Sequence, residues 1–483
     1  MVRKIGPLVF ITACLAVCLV PSLGMIAKPT TQPVGNEQSL DLPRAMEEDG
    51  VFNANILSDL GKYFEQHFAF RPDIITADAV IQSSIFGVSN LDSVVAGTDG
   101  WLYYASTLDD YQGRNALSKE QIDGIVHNLA LVQQRTEEHG AQFLFAVAPN
   151  KNTLYPEHMP SYYRVDESAD RNRTLLNAAL ADSSVAYCNL FDVFEGHDET
   201  LYFSRDSHWN NKGALLAYHA VLSELEKPHD DYADVRVEER EDFVGDLNKM
   251  MYPSIGHPEL NYYYGAEGAY QYVTETASVE EPFIRTENGD ARDSLFMYRD
   301  SFGNLLLPFF ASAFGDAIFS KSFPVMLDIS LGQYQPDDVV FVIAERNIGW
   351  FLTQPPIMRA PIVEAESIDL VTTKSFDLTV KMSENSPLYL EVTGLVDEEL
   401  GEGSSPVYLY VRDDEGYGTL YECYDFLTDQ REDAFIAYLD AGDYEDLSTL
   451  SISVVVRDSA GFKAVGSNTV NIERNCDDKN YEY

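Results

Sequence analysis

Basic residues are scarce in this chain of 483 residues, which has 33 Lys and Arg against 78 Asp and Glu and a formal net charge of −45. So acidic a surface repels polyanions, which excludes nucleic acid and makes anionic lipid a poor partner. A high net charge suits a protein that stays soluble in a salty or extracellular setting. Because 45% of the residues are hydrophobic and only 23% are charged, the chain is expected to fold, and its length predicts two or three domains.

Cysteine is also scarce, and Cys14 and Cys18 of the five lie in an apolar N-terminal stretch. Cys188, Cys423 and Cys476 are odd in number and widely spaced, which excludes a zinc-ligand pattern. The sequence leaves open whether Cys423 and Cys476 pair in an oxidising compartment. The nine histidines never show the spacing His-x-x-x-His, and no glycine-rich phosphate loop follows a strand. We therefore predict no catalytic metal, no nucleotide and no other cofactor.

One long apolar run, from Ile5 to Ala27, follows Arg3 and Lys4. It predicts a secretion signal over residues 1–27 that is either cleaved or retained as a single membrane anchor. The anchor is favoured because the run is long enough to span a bilayer and lacks a clean small-x-small cleavage site. We expect an extracellular or cell-surface protein that meets the membrane through this segment only. Residues 28–50 begin with a stretch rich in Pro, Thr, Gln and Asn and predict a linker.

Strand and helix patterns alternate from residue 51 to residue 358. The run Gln142–Ala148 is apolar throughout, which is typical of a parallel strand covered on both faces. Ser118 and Gln121 form a capping box before an amphipathic helix. The alternation predicts a three-layer α/β domain around a parallel sheet, with residues 228–293 as a polar excursion. The predicted strands are 142–148, 185–190, 294–298, 316–319 and 339–344.

The pattern changes after Pro355-Pro356, where only short β-like runs remain, with Gly, Asp and Ser between them. This spacing predicts an antiparallel β-sandwich domain over residues 362–476. The runs are 376–380, 388–392, 407–411, 435–439 and 452–456.

Ser301 follows the predicted strand 294–298 and precedes apolar residues at helical spacing. A serine at such a junction has its hydroxyl at the carboxyl edge of a sheet, beside backbone N–H groups that can stabilise an oxyanion. The alternative is that Ser301 is a helix N-cap. Asp300 is equally able to cap, which would leave the Ser301 hydroxyl free.

The tetrapeptide Asp206-Ser207-His208-Trp209 supplies the partners that a nucleophilic serine needs. If it is extended, residues i and i+2 point the same way, so Asp206 can orient His208 while Ser207 faces away. A base for the serine proton and an anion for the resulting imidazolium are then both available. We predict that Ser301, His208 and Asp206 form a catalytic triad. The alternative is that Asp206 and Ser207 are turn residues before a helix.

Several motifs occur in the order found in the alginate O-acetyltransferases AlgJ and AlgX: Gly97–Tyr103 (GTDGWLY), Ala148–Lys151 (APNK), Asp206–Trp209 (DSHW), Arg299–Phe302 (RDSF) and Glu345-Arg346. The chain also resembles the DHHW family of bacterial proteins, a relative within the SGNH-hydrolase-like superfamily. The likeness covers residues 50 to 350 and implies an SGNH-like acyltransferase domain over residues 51–358. Position 207 is Ser, where the DHHW family has His and the alginate enzymes usually have Thr, which favours the acetyltransferase branch.

The resemblance implies Ser301 as nucleophile, His208 as general base and then acid, and Asp206 as the orienting carboxylate. It implies an O-acetyltransferase that acts on an extracellular or cell-surface polysaccharide, with a membrane-bound O-acyltransferase as partner on the donor side. The β-sandwich is then a candidate carbohydrate-binding module. The alternatives are a carbohydrate esterase with the same triad, a non-catalytic polysaccharide-binding protein, and a scaffold beside a membrane acyltransferase.

Further site candidates follow from their positions at strand ends. The backbone N–H of Ser301 or Phe302 is predicted as the first oxyanion donor. Asn150, Lys151, Arg346 and Asn347 are additional oxyanion or substrate candidates. Trp209 and Trp101 are candidates for stacking on a sugar, with simple burial as the alternative.

Overall fold

The computed structural model describes residues 5–27, 29–30, 39–46, 50–166, 168–372, 374–396, 406–412, 418–430, 433–459 and 461–474. Among these residues, no helix combines the length and apolar character needed to cross a membrane. The α-helices are α1 Ile5–Ala27, α2 Ile56–His67, α3 Arg71–Ile81, α4 Leu108–Gln112, α5 Lys119–Glu138, α6 Lys151–Leu154, α7 Asn172–Ala181, α8 Leu190–Phe194, α9 Asn211–Glu224, α10 Asp246–Met251, α11 Leu307–Ala313, α12 Leu327–Tyr334 and α13 Trp350–Thr353.

The strands of the first three quarters of the chain are β1 Val94–Ala96, β2 Leu102–Tyr104, β3 Gln142–Ala148, β4 Tyr187–Cys188, β5 Glu238–Phe243, β6 Glu259–Tyr263, β7 Gln271–Tyr272, β8 Phe283–Glu287, β9 Ser294–Arg299, β10 Asp316–Ser320 and β11 Asp338–Ala344. The later strands are β12 Ile368–Asp369, β13 Leu378–Met382, β14 Tyr389–Leu395, β15 Val407–Arg412, β16 Gly418–Glu422, β17 Tyr424–Leu427, β18 Asp433–Asp440, β19 Thr449–Asp458 and β20 Gly461–Glu473.

A seven-stranded sheet in the order β4-β3-β11-β9-β10-β8-β7 forms the centre of the α/β part. The strands from β4 to β10 pair in parallel, whereas β8 pairs antiparallel with both β10 and β7. Every residue of β11 is buried, as its uninterrupted apolar sequence predicts for a strand covered on both faces. Alternate residues of β3 enter two different core clusters, one with Phe143 and Phe145 and the other with Leu144 and Ala146.

The carboxyl ends of β3, β11 and β9 meet at one edge of this sheet because the three strands are parallel neighbours. Asn150 follows β3, Arg346 follows β11 and Ser301 follows β9. In open α/β sheets this edge is where ligands bind. The fold therefore brings distant segments of the chain to one place.

Two predictions for this sheet are corrected by the structure. The predicted strand 185–190 is limited to β4, because Leu190, Phe191 and Phe194 fall at helical spacing and begin α8. The segment 228–293 is not merely a polar excursion, since it contains β5 to β8 and α10. In β8 only Ile284 and Thr286 are buried, so its alternating sequence hid a strand of the main sheet.

The C-terminal part is rich in β-structure, with strands in the order β16-β15-β19-β20-β13-β14-β18-β17. Most neighbours are antiparallel, but β20 runs parallel to β13 and to the short β12. Each of the five predicted runs overlaps a strand, whereas β16, β17 and β20 were not predicted. One hydrophobic core cluster contains residues of the C-terminal strands, such as Phe435 of β18, together with residues of α5, such as Ile125.

Polar contacts also connect α5 to the C-terminal strands. Asn128 donates hydrogen bonds to the carbonyls of Phe351 and Asp425 and accepts one from the backbone N–H of Asp425. The His127 ring lies 2.6 Å from the Asp425 carboxylate and 3.2 Å from that of Glu422. Burial alone would lower the pKa of His127, but these two carboxylates outweigh it and raise the pKa to about 9.

Cys188 and Cys423 are buried free thiols. Burial raises the pKa of Cys188 to about 12 and also raises that of Cys423. Cys476 lies outside the described residues, and its pairing with Cys423 therefore falls outside them as well.

Candidate active site

Ser301 begins a short 3-10 turn directly after β9, and Asp300 caps that turn. The Asp300 carboxylate accepts a hydrogen bond from the backbone N–H of Phe302 (2.9 Å). It also accepts bonds from the backbone N–H of Ala344, the last residue of β11, and from the side-chain amide of Asn347 (both 2.7 Å). Asp300 therefore takes the capping role that was the alternative for Ser301. The hydroxyl of Ser301 is left to face the loop that carries His208.

Asp206, His208 and Ser301 lie in one hydrogen-bonded line. Nδ1 of His208 is 2.7 Å from Oδ1 of Asp206, and Nε2 is 2.8 Å from Oγ of Ser301. The backbone N–H of His208 also donates to Oδ1 of Asp206. The predicted residues are thus brought together from segments that are 93 residues apart, in the arrangement that a serine nucleophile with a general base requires.

The local conformation differs from the extended tetrapeptide that the sequence predicts. Residues 206–208 form a bend, closed by the hydrogen bond from the His208 N–H to the Asp206 carboxylate. The prediction that Ser207 faces away from the site is also wrong. Its hydroxyl lies 3.2 Å from Nδ1 of His208 and donates to Oδ2 of Asp246 at 2.6 Å.

Asp246 is a site residue that the sequence analysis missed. Its backbone N–H donates to Oδ2 of Asp206 at 2.7 Å, and its carboxylate accepts from the N–H and hydroxyl of Ser207. Its Oδ2 lies 3.8 Å from Nδ1 of His208. The start of α10 thus holds the loop of the triad, and nothing local in the sequence around residue 246 indicates this.

The two carboxylates set the charge balance around His208. Burial opposes an imidazolium, but the charge and hydrogen bond of Asp206, together with the charge of Asp246, outweigh burial and raise the pKa of His208. Burial would raise the pKa of Asp206, but its contacts with His208 and the backbone N–H groups lower it overall. Burial and the nearby Asp206 charge raise the pKa of Asp246. Asp206 is therefore the more acidic of the two carboxylates beside the imidazole.

An open pocket of about 580 Å³ adjoins Ser301. Its lining combines aromatic rings with three cationic side chains. The lining residues are Tyr104, Ser106, Arg299, Asp300, Ser301, Lys321, Phe323, Arg346, Asn347, Trp350 and Gln354.

The predicted oxyanion donors differ in whether their hydrogen-bonding group already has an acceptor. The backbone N–H of Phe302 is bonded to Asp300, so the prediction for Phe302 is corrected. The backbone N–H of Ser301 has no hydrogen-bond acceptor among the described residues. This N–H group lies beside the nucleophile and can donate to an oxyanion. Arg346 and Asn347 both line the pocket, and the Arg346 guanidinium lies 5.6 Å from the Tyr104 ring.

Asn150 and Lys151 lie beneath the site and not in the pocket. The Asn150 backbone N–H donates to Glu345, and its side chain donates to Asp110. The Lys151 ammonium donates to backbone carbonyls of the 203–206 loop, including that of Phe203 at 3.1 Å. Burial lowers the pKa of Lys151 to about 8. Lys151 thus supports the loop of the triad, and Asn150 is bound to Glu345 and Asp110, which corrects their prediction as oxyanion or substrate groups.

The predicted sugar-stacking residues are also corrected. Trp209 is fully buried and packs edge-on against Phe302, with 5.0 Å between ring centroids. Trp101 is 9% exposed and stacks on His158. Trp350, at the start of α13, is the tryptophan that lines the pocket, and the sequence analysis did not single it out.

Asp206, His208 and Asp246 also offer three ligand atoms within 4.8 Å of one another, as a metal site would. All four carboxylate oxygens already accept hydrogen bonds from His208, Ser207, Leu247 or the backbone of Asp246. A cation would have to replace these bonds. The hydrogen-bond pattern therefore favours the triad.

Comparison with known proteins finds a similarity over the central part of the chain. Residues 94–296 match the family model of the SGNH hydrolase-like domain of acetyltransferase AlgX. The matched stretch includes Asp206 and His208 and ends shortly before Ser301. The predicted likeness to AlgJ and AlgX is confirmed.

Two curated relatives align with parts of the chain. The probable alginate O-acetylase AlgJ of Pseudomonas aeruginosa is 28% identical over 141 residues, which are 28% of this chain and 34% of the relative. The protein of the same name from Pseudomonas fluorescens is 24% identical over 172 residues, which are 35% of this chain and 42% of the relative. The aligned region thus spans less than half the length of either relative. A DHHW family protein of known structure from Eubacterium siraeum is 16% identical, with 53% of this chain and 91% of that one covered and a TM-score of 0.39.

Proposed function

We propose that this protein is a polysaccharide O-acetyltransferase in which Ser301 takes up an acetyl group and passes it to a hydroxyl of an extracellular or cell-surface polysaccharide. The observation that carries the proposal is the line of short contacts from Asp206 through His208 to Ser301, 2.7 and 2.8 Å long. It ends at a pocket open enough to admit two substrates in turn. The match to the AlgX family model and the relatives named alginate O-acetylase support acetyl transfer to a polysaccharide.

In the first half-reaction Oγ of Ser301 attacks the carbonyl carbon of the donor acetyl ester, and its proton passes to Nε2 of His208. The Asp206 carboxylate stabilises the resulting imidazolium through the bond to Nδ1. The bond between the carbonyl carbon and the donor oxygen then breaks, and His208 returns the proton to that oxygen. The products are acetyl-Ser301 and the donor alcohol.

In the second half-reaction a polysaccharide hydroxyl gives its proton to Nε2 of His208 while its oxygen attacks the acetyl carbon. The carbon–Oγ bond breaks, and His208 protonates Oγ of Ser301. If water takes the place of the sugar hydroxyl, the same steps release acetate, and the protein is a carbohydrate esterase. In both half-reactions the backbone N–H of Ser301 is the donor placed to stabilise the negative oxygen.

The wider organisation is proposed on the same basis. The body over residues 51–358 is a three-layer acyltransferase domain, which the two core clusters on the faces of β3 support. Residues 362–476 are a β-sandwich and a candidate carbohydrate-binding module, which their β-rich content supports. Residues 1–27 are a signal or anchor, residues 28–50 are a linker, and a membrane-bound O-acyltransferase supplies the acetyl group.

Acylation of Ser301 tests the proposal directly. The full chain is incubated with p-nitrophenyl acetate, and the acetylated peptide is located by mass spectrometry. We expect one acetyl group on Ser301 in the wild type and none in Ser301→Ala. The matched control is Ser106→Ala, which removes another serine of the same pocket and leaves Ser301 acetylated.

A second measurement separates transfer from hydrolysis. Oligosaccharides are added to the acetylated protein, and both acetate and acetylated sugar are quantified. Acetylated sugar supports the transferase, and acetate alone supports the esterase. A folded wild type that never acquires an acetyl group on Ser301 contradicts both and favours a binding protein.

A further inference from the structure

Exposed apolar side chains are concentrated in a short part of the chain. Between residues 46 and 86, twelve large hydrophobic residues are exposed, as many as in all the described residues from 87 to 474. Leu57 is 82% exposed and Ile85 is 68% exposed. Soluble monomers seldom leave apolar side chains gathered in this way unless the surface binds something.

Six of these residues are exposed on two consecutive helices, and we call them the apolar flank: Leu57, Leu60 and Phe64 on α2, and Ile74, Ile81 and Ile85 on α3 and the π-helical turn that continues it. Their spacing places each set of three on one side of its helix. The buried residues are Gln66 and His67 on α2 and Thr76 and Ala79 on α3. None of the large apolar residues of either helix is therefore fully buried.

The orientation of α3 is fixed by its contacts with the α/β body. The hydroxyl of Thr76 accepts the backbone N–H of Ser254, and that of Ser83 accepts the hydroxyl of Tyr252, both at 3.0 Å. Ala79 is fully buried in the core cluster that contains Leu247 and Met251 of α10. The side of α3 that carries Thr76 and Ala79 is thus needed for attachment, and the side that carries Ile74 and Ile81 is left for another surface.

The apolar N-terminal helix α1 ends beside the junction between α2 and α3. The carbonyl of Pro21 accepts the backbone N–H of Ala69 at 3.2 Å, and the N–H of Thr30 donates to the carbonyl of His67 at 3.1 Å. Gly24 approaches so closely that a Cβ there would lie 2.8 Å from that of Ala69. The end of α1, where Leu23 is exposed, therefore meets the junction between the two helices that carry the flank.

We propose that the apolar flank lies in the interfacial region of a lipid bilayer, with its hydrophobic side chains inserted below the headgroups. An apolar helix joined to two outward-facing apolar stripes is the arrangement expected of a surface that rests on a membrane. The acidic residues of α2 and α3 outnumber the basic ones, so attraction to anionic headgroups does not drive the contact. The flank therefore favours zwitterionic lipid, and its insertion is insensitive to salt.

A polarity-sensitive fluorophore on single cysteines tests this contact in the full chain. The background carries Cys14→Ser, Cys18→Ser and Cys476→Ser, because Cys188 and Cys423 are buried. Labels are placed at Phe64→Cys and Ile85→Cys, with Lys62→Cys on the opposite side of α2 as the matched control. Phosphatidylcholine vesicles with doxyl-labelled acyl chains are then added.

We expect a blue shift and doxyl quenching at positions 64 and 85 and neither at position 62, with weaker effects in phosphatidylserine vesicles. Labels at 64 and 85 that stay as water-exposed as the label at 62 on vesicle-bound protein overturn the proposal. A blue shift that needs no lipid and grows with protein concentration assigns the flank to a second copy of the chain and overturns it too.

A charge variant gives an independent readout. Leu57→Glu combined with Phe64→Glu changes only exposed side chains, so the fold is retained, and we expect vesicle partitioning to fall by at least ~10-fold. Lys62→Glu is the control with little effect. Equal partitioning of both variants contradicts the proposal.

Discussion

Asp246 illustrates how much of the site depends on a single residue outside the predicted triad. It fixes Asp206 through its backbone and Ser207 through its carboxylate, so it determines where the imidazole of His208 can lie. Its charge adds to that of Asp206 in raising the pKa of His208. A residue of this kind positions the base without touching the reacting atoms.

For Asp246→Asn we expect a shift in the pH dependence of acetyl transfer. Loss of the charge lowers the pKa of His208, so the neutral base persists at lower pH and the acidic limb of the rate profile moves to lower pH. The turnover rate at high pH falls by no more than ~10-fold, since Asp206 still orients the base. The measurement is the rate of Ser301 acylation against pH. The control is Asp242→Asn, an exposed carboxylate of the same segment, and an unshifted limb in Asp246→Asn would show that its role is structural only.

For Asp206→Asn we expect a much larger effect. An amide at this position holds the wrong tautomer of His208 and cannot stabilise the imidazolium, so acylation slows by about 10⁴-fold. The fold should remain, because the amide oxygen can still accept one of the two backbone bonds, from His208 or from Asp246. Acylation kinetics and circular dichroism measure the two properties. A mild loss of rate would contradict the role given to Asp206.

At the scale of elements, the close approach of α10 to the loop of the triad depends on Gly245. A Cβ at this position would lie 2.3 Å from the carbonyl oxygen of Arg205 and 2.8 Å from the backbone nitrogen of Asp206. The short N-terminal end of α10 can therefore reach Asp206 only if residue 245 has no side chain.

For Gly245→Ala we expect a loss of ~1–3 kcal/mol in the free energy of unfolding, together with slower acylation of Ser301, because the loop must move. Urea unfolding and acylation kinetics are the measurements. The matched control is Gly256→Ala, whose Cβ would make an ordinary contact of 3.6 Å with Val244 and should change stability by less than ~0.5 kcal/mol. Equal effects of the two variants would contradict this account.

The sequence predicts best those elements whose composition reflects how they are buried. The strands β3, β9 and β11 have continuous apolar sequences, because a parallel strand in mid-sheet is buried on both faces. The strand β8 was missed because only one of its faces is buried. Segment 185–190 was misread because a short apolar run fits a strand or a helix equally well.

The candidate site divides in the same way. Asp206, His208 and Ser301 could be predicted because their chemistry is visible in short motifs. Asp246 and Trp350 could not, since they reach the site only through the packing of α10 and α13. The error on Phe302 arose because Asp300, which the sequence already offered as a cap, binds the backbone N–H of Phe302 in that role.

At the scale of the whole molecule, His127 joins the α/β body to the C-terminal strands. Two carboxylates from those strands flank its ring, and their charges raise its pKa to about 9, above the ordinary histidine value of 6.5. Because folding raises the pKa of His127, its contact with the two carboxylates stabilises the fold fully at a pH below 6.5. The effect is lost as pH rises through about 9.

For His127→Gln we expect a loss of about 1–2 kcal/mol in the free energy of unfolding near neutral pH. The wild type should lose this stability on the way from neutral to alkaline pH, while the variant should not. Urea titrations across that range are the measurement, with His139→Gln, an exposed histidine at the end of α5, as control. Parallel pH curves for wild type and His127→Gln would contradict the contribution of this contact.

The position of β11 between β3 and β9 has a consequence for biosynthesis. Asp206, His208 and Ser301 are all synthesised before residues 338–344. The half of the sheet with β3 and the half with β9 are hydrogen-bonded to each other only through β11. A nascent chain therefore leaves the ribosome with its reactive side chains complete and its active centre unassembled. We expect fragments that end before β11 to be inactive even when they include Ser301, so the proposed catalytic unit extends beyond the matched region 94–296.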